Sequence, residues 1–159
     1  MCLRPGAWRR EAHVTCQSYP VHVTWSVRTG QLCDIDSVLR FWAESGAEPT
    51  HTDDVAGLTT LMTHDPSALI VAEEDGSIVG SVIAAWDGWR GSVNRLVVAP
   101  SHRRRGLGRQ LLAAAEARLS AVGAVRVQAI VVETEPEAIG FWRESGWERQ
   151  VHRVRFVRG

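Results

Sequence analysis

The hexapeptide Arg103-Arg104-Arg105-Gly106-Leu107-Gly108 sets three consecutive guanidinium groups and two spaced glycines between an apolar run, "LVVAP", and a helical pattern, "LGRQLLAAAEARL". The chemistry open to such a junction is anion binding. The first turn of a helix leaves backbone N–H groups unpaired, and the helix dipole favours negative charge there. Glycine lets an anion approach the backbone without meeting a Cβ atom, and arginine adds charge-assisted hydrogen bonds to phosphate oxygens. The spacing Arg-x-x-Gly-x-Gly therefore points to a phosphate or pyrophosphate. Two other phosphate loops are excluded. A P-loop requires a lysine after its last glycine, and this chain contains no lysine. A dinucleotide fingerprint requires a glycine where Arg104 stands.

A strand must end and a helix begin at that junction, and the surrounding pattern supplies both. Residues 21–28 alternate apolar and polar positions as a half-buried strand does. Residues 34–46 switch to helical spacing with Ile35, Val38, Leu39 and Trp42 on one face, Asp34 as N-cap and Gly46 as stop. A shorter helix is predicted over residues 52–63, ended by Pro66. "LIVAEEDGSIVGSVI" reads as two strands joined at Asp75-Gly76, a strong hairpin signal, and residues 92–99 read as a further strand. The helix over residues 105–121 puts Leu107, Leu111, Leu112, Ala115 and Leu119 on one face. Residues 124–132 look like a central strand buried on both faces. A helix follows with a Thr134–Glu137 capping box, an apolar face of Ala138, Phe141 and Trp142, and Gly146 as stop. A last alternating strand spans residues 149–158. Hairpin strands followed by one strand–helix–strand crossover give a mixed α/β fold, a mostly antiparallel sheet with helices on both faces.

Composition narrows the function. The 159 residues suit a single domain, and 45% apolar with 23% charged residues is ordinary for a globular protein. Eighteen basic side chains balance eighteen acidic ones, so neither nucleic acid nor an anionic membrane is an expected partner. The arginines of "RQVHRVRFVR" fall on alternate residues, as on the solvated face of a strand. Three widely spaced cysteines, Cys2, Cys16 and Cys33, fit no metal or disulfide framework, so a reducing, cytoplasmic location is expected and no metal. No apolar run is long enough to span a membrane. Residues 1–20 lack periodicity and are expected to be a mobile N-terminal extension, with the folded domain over residues 21–159.

"RLVVAPSHRRRGLGRQLL" resembles the acetyl-CoA signature of the GNAT superfamily of N-acetyltransferases, and "EAIGFWRESGW" is similar to that family's Ala-x-x-Phe-Tyr-x-x-x-Gly-Phe segment. The hairpin falls where the family has its second and third strands, and the resemblance covers residues 21–157. It implies a sheet splayed between the fourth and fifth strands, with acetyl-CoA as co-substrate in the opening. The backbone of Leu96, Val97 and Val98 would hold the thioester arm, and Arg103, Arg104, Arg105, Gly106, Leu107 and Gly108 the pyrophosphate. It implies direct transfer of the acetyl group to a primary amine of a small molecule, peptide or protein, and a homodimer as an assembly common among relatives.

The catalytic groups depart from the family pattern. Trp142 stands where many relatives carry a tyrosine acid, and an indole N–H does not titrate usefully. Neither the fourth nor the fifth predicted strand contains a carboxylate. Glu135 takes a position where relatives often have an asparagine near the cofactor. The remaining carboxylates and histidine at the acceptor mouth are Glu48, His51, Asp53 and Asp54, and water is an alternative proton acceptor. Trp86, Asp87 and Trp89 flank the turn at the acceptor end. The missing tyrosine and carboxylates equally fit a non-catalytic acyl-CoA-binding module.

Overall fold

The computed structural model describes residues 24–158. The expected extension over residues 1–20 and the start of the first predicted strand lie outside them. The elements follow in the order β1 (Ser26–Thr29), α1 (Ile35–Glu44), α2 (Val55–His64), β2 (Leu69–Glu74), β3 (Ser77–Trp86), β4 (Gly91–Val98), α3 (Leu107–Ala121), β5 (Val127–Ala129) and α4 (Pro136–Glu144). The five strands form one sheet in the order β1-β2-β3-β4-β5. All pairs are antiparallel except β4–β5, which is parallel. Helices α1 and α2 cover one face and α3 the other, each over its own apolar cluster.

Local chemistry explains where these elements begin and turn. Asp75 and Gly76 both have positive φ, 49° and 75°, the geometry that matches a two-residue turn to the twist of its strands. α2 starts at Asp54, whose carboxylate accepts the Gly57 N–H at 2.6 Å. Asp34 precedes α1 but does not cap it. Its carboxylate accepts the Gln31 N–H and the Arg28 guanidinium, each at 2.7 Å. Arg28 also reaches Glu73 at 2.7 Å, so one arginine ties β1, the turn before α1, and β2. The Arg28 hydrogen bonds hold the Asp34 carboxyl below the usual aspartate range.

On the opposite face, Leu107, Leu111, Leu112, Ala115 and Leu119 of α3 are all buried against the sheet. Gly80 makes room for them, since a Cβ there would lie 2.8 Å from Leu111 Cδ1. Arg118, near the end of α3, crosses to the other layer, where it pairs with Asp65 and donates to the Ala84 carbonyl.

Three expectations change. β5 covers only three residues rather than 124–132, and Val125, Ile130 and Val132 are exposed. The reason is that β5 is covered on one face: Val127 and Ala129 pack on the α3 cluster, while Gln128 between them is exposed. Residues 149–158 form no strand, and Val154 and Phe156 face solvent. The Thr134–Glu137 capping box does not form, and α4 begins after Glu135 without a side-chain cap. Trimming the fully buried Leu111 to alanine is expected to destabilise the fold by about 3 kcal/mol, read as a lower urea midpoint at unchanged slope.

Candidate functional site

The site is organised by an irregularity in β4. β3 and β4 pair Ser81 with Val97 and Ile83 with Asn94, so Arg95 and Leu96 together oppose Val82 alone. That is a β-bulge, and Arg95 within it has a left-handed φ of 51°. A non-glycine residue rarely adopts this conformation without support, and here support comes from two sides. The fully buried Ser81 hydroxyl donates to the Arg95 carbonyl at 3.1 Å and accepts the Trp42 indole N–H at 2.8 Å. The Arg95 side chain is held by Asp53, by the Glu48 carbonyl at 2.8 Å and by Thr50 at 3.2 Å, with Trp42 beneath it. Burial pushes the Arg95 pKa down, partly offset by the nearby Glu48 charge. β4 pairs with β5 only as far as Val93↔Ala129. Beyond that rung β4 keeps β3 on one side and pairs with no described strand on the other, which leaves the sheet open there. Leu96, Val97 and Val98 lie on that unpaired edge, half buried.

The arginine–glycine loop follows at once. Arg103 is engaged within the protein, donating to the carbonyls of Val98 and Ser45, each at 3.2 Å. Arg104 has a φ of 62° and Gly106 one of 92°. Residues 103–106 form turns, and the ladder of α3 starts with Gln110 donating to Gly106 at 3.1 Å, so the N–H groups of its first turn precede the ladder. Alternating backbone handedness of this kind favours an anion-binding concavity, and the start of α3 adds its dipole. Space around Gly106 is open, so its glycine is needed for φ. Gly108 is needed for proximity: a Cβ there would lie 3.3 Å from Phe141 of α4.

The carboxylates singled out in the sequence are placed as follows. Asp53 is bonded to Arg95, and Asp54 caps α2. Glu48 is exposed, and its backbone carbonyl takes the Arg95 bond. Glu135 is exposed at the start of α4. His51 is also exposed. Trp142 packs edge-on between Phe141 and Trp147. On the α1–α2 face lies a cavity of about 260 Å³ lined by Leu61, His64, Asp87, Arg90, Ser92 and Gln128, with Trp86 at its wall. Ser92 and Gln128 are paired across β4 and β5 one rung below the opening. Trp89 is 66% exposed, with the Arg90 guanidinium 3.9 Å above its ring. Asp87 accepts both N–H groups of that turn, which lower its pKa.

The sequence reading missed Ser81 and the pinning role of Arg95. An arginine inside the run "LVVAP" and its predecessors is a signal of a kind, since a cation there needs partners. Ser81 carries no such signal. Ser81→Ala strands the buried Trp42 N–H and is expected to cost about 2 kcal/mol, measured by chemical denaturation; a loss below about 0.5 kcal/mol would show that the bulge holds without it.

Comparison with known proteins places these features in context. The profile of the family described as "Acetyltransferase (GNAT) family" matches residues 34–147. A protein from Yersinia pestis called "Acetyltransferase" is 32% identical over 124 residues, covering 78% of this chain and 88% of its own length. Among solved structures, Ard1 from Thermoplasma volcanium superposes with a TM-score of 0.69 at 25% identity, over 78% of this chain and 82% of its own. An aminoglycoside N-acetyltransferase in complex with CoA shares the fold with a TM-score of 0.68 at 20% identity, over 85% of this chain and 94% of its own.

Proposed function

The chain belongs to the acetyltransferase (GNAT) family, and from that premise we propose that it transfers the acetyl group of acetyl-CoA directly to a primary amine of a small molecule or a peptide. The observation that carries this reading is the arginine–glycine loop with its two left-handed residues, Arg104 and Gly106, leading into the start of α3, whose ladder begins only at Gln110, beside the unpaired edge of β4. The loop has the geometry and charge for a pyrophosphate. The edge offers backbone groups to the amides of an extended pantetheine arm, as an added strand would take them. CoA in the related aminoglycoside N-acetyltransferase structure supports this donor.

Acetyl transfer forms a C–N bond and breaks a C–S bond. The amine must be neutral to attack, the carbonyl oxygen must gain hydrogen bonds as charge develops, and the thiolate must leave. In this reading β4 supplies the carbonyl contact from its backbone, and proximity supplies much of the rate. The donor's phosphates sit at the α3 end, so the acceptor enters from the α1–α2 face. Ser92 lies three residues before Arg95, about 10 Å of strand, so the cavity beside it can seat the distal part of an elongated amine. Asp53 and Asp54 are already bonded within the protein. We therefore assign proton removal to water, and departure of the thiolate requires no protein acid because its pKa is modest.

CoA affinity is expected to fall at least tenfold in Arg104→Ala and in Gly106→Val, the second because a β-branched residue resists a φ of 92°. Calorimetry with CoA reads this without an acceptor. An amine panel followed by free thiol tests the transfer itself. Amine-dependent thiol release supports the enzyme, and silence across amines, peptides and aminoglycosides with intact CoA binding would favour a non-catalytic binding module. Once an acceptor is found, Glu48→Gln and Glu135→Gln are each expected to retain turnover within about threefold; a loss beyond tenfold in either would identify a protein base.

A further inference from the structure

The anion-binding loop is held in place by a residue far from it in sequence. Trp25, just before β1, is 7% exposed. Its indole N–H donates to Gln110 Oε1 at 2.8 Å, in the first turn of α3. Its ring meets His102 edge-on, with centroids 5.9 Å apart, and the Arg105 guanidinium lies over it at 5.0 Å. One side chain thus touches the residue before the loop, a residue within it, and a residue after it.

His102 is itself fixed. It is 7% exposed, with Nε2 2.7 Å from Glu74 Oε2 at the end of β2 and Nδ1 2.9 Å from the Ser101 hydroxyl. The Trp25 wall therefore rests on a histidine anchored to the sheet. Arg105 has no carboxylate partner among the described residues. A guanidinium held over an indole face by cation–π attraction is restrained without using up its N–H groups, which stay free for an anion. Arg104 has neither a stack nor an ion pair among the described residues. Of the three consecutive arginines, one is spent inside the protein, one is free, and one is oriented without being neutralised.

We propose that Trp25 is a positioning residue for the donor: its indole orients Arg105 toward the pyrophosphate and, through His102 and Gln110, fixes the two ends of the loop. This rests on the reading that the loop takes the pyrophosphate of CoA. It adds a determinant of donor affinity outside the arginine–glycine segment, contributed by the edge of the sheet.

The test is calorimetric binding of CoA to the full chain, with thermal melting beside it. Trp25→Leu is expected to weaken CoA about tenfold, the usual effect of one oriented charge–phosphate contact. Trp25→Phe keeps a ring face for His102 and Arg105 and is expected to recover most of that loss, although it gives up the bond to Gln110. Placed on Arg105→Ala, Trp25→Leu is expected to weaken CoA by less than about twofold further, because the group it orients is gone. Equal losses in both backgrounds, or no rescue by phenylalanine, would overturn the positioning role. Should Trp25→Leu fail to fold, Trp25→Met, which also removes the ring, reads the same coupling with and without Arg105→Ala: a loss in the first background that shrinks in the second supports the role, and affinity unchanged, or an equal loss in both, overturns it. The underlying reading fails separately: if Arg104→Ala, Arg105→Ala and Gly106→Val all bind CoA as the parent does, the loop is not the pyrophosphate site.

Discussion

Trp42, Ser81 and Arg95 form a buried relay, indole N–H to hydroxyl to backbone carbonyl, and most of the site's geometry depends on it. A strand interior does not ordinarily accept a non-glycine residue at φ 51°. The relay fixes the Arg95 carbonyl from within the α1 layer, while Asp53, Thr50 and the Glu48 carbonyl fix the guanidinium from the α1–α2 loop. With both ends of Arg95 held, β4 carries its extra residue permanently. The regular ladder to β5 stops two residues earlier, at Val93. A bulge bends its strand and sharpens the local twist, which is what a sheet needs if two neighbouring parallel strands are to part company. The ladder to β5 therefore ends beside a bulge that is pinned by packing on the face away from α3.

The same physics explains how a chain of zero formal charge concentrates positive charge at one loop. Every basic side chain is an arginine, and its planar fork of donors suits it to bridging several acceptors at once. Arg28, Arg95, Arg103 and Arg118 are used in this way, each joining segments distant in sequence. Arg104 and Arg105 are not. Local potential here comes from which arginines are left unneutralised beside the start of α3, and net charge says little about it.

What was legible in the sequence follows from how local its cause is. Asp75-Gly76, the apolar stripe of α3 and the arginine–glycine junction each encode their structure within a few residues, and all three appear where the pattern puts them. The apolar run at 124–132 was misleading because burial on both faces depends on the layers above and below the sheet, and β5 is covered on one. The alternation over 149–158 pairs with no described strand, and its apolar residues stay exposed. At the site, the roles of Asp53 and Asp54 could not be read, since a carboxylate that pairs with Arg95 and one that caps a helix look alike in a loop. The roles of Ser81 and Trp25 could not be read because the indole hydrogen bonds that define them span 39 and 85 residues of sequence.

This locality also explains why the donor side is easier to read than the acceptor side. In the proposed reading a pyrophosphate is met by a helix start and arginines, all contiguous in the chain. The proposed amine site draws on side chains from α2, the β3–β4 turn and β5, whose meeting is a property of the assembled sheet. β4 is where the two sides join. Its bulge is pinned from the α1–α2 face, and the loop at its end is steadied from the other by His102, Trp25 and Glu74. A disturbance at either support therefore acts on the same strand. In the proposed reading, donor and acceptor geometry are coupled through this strand.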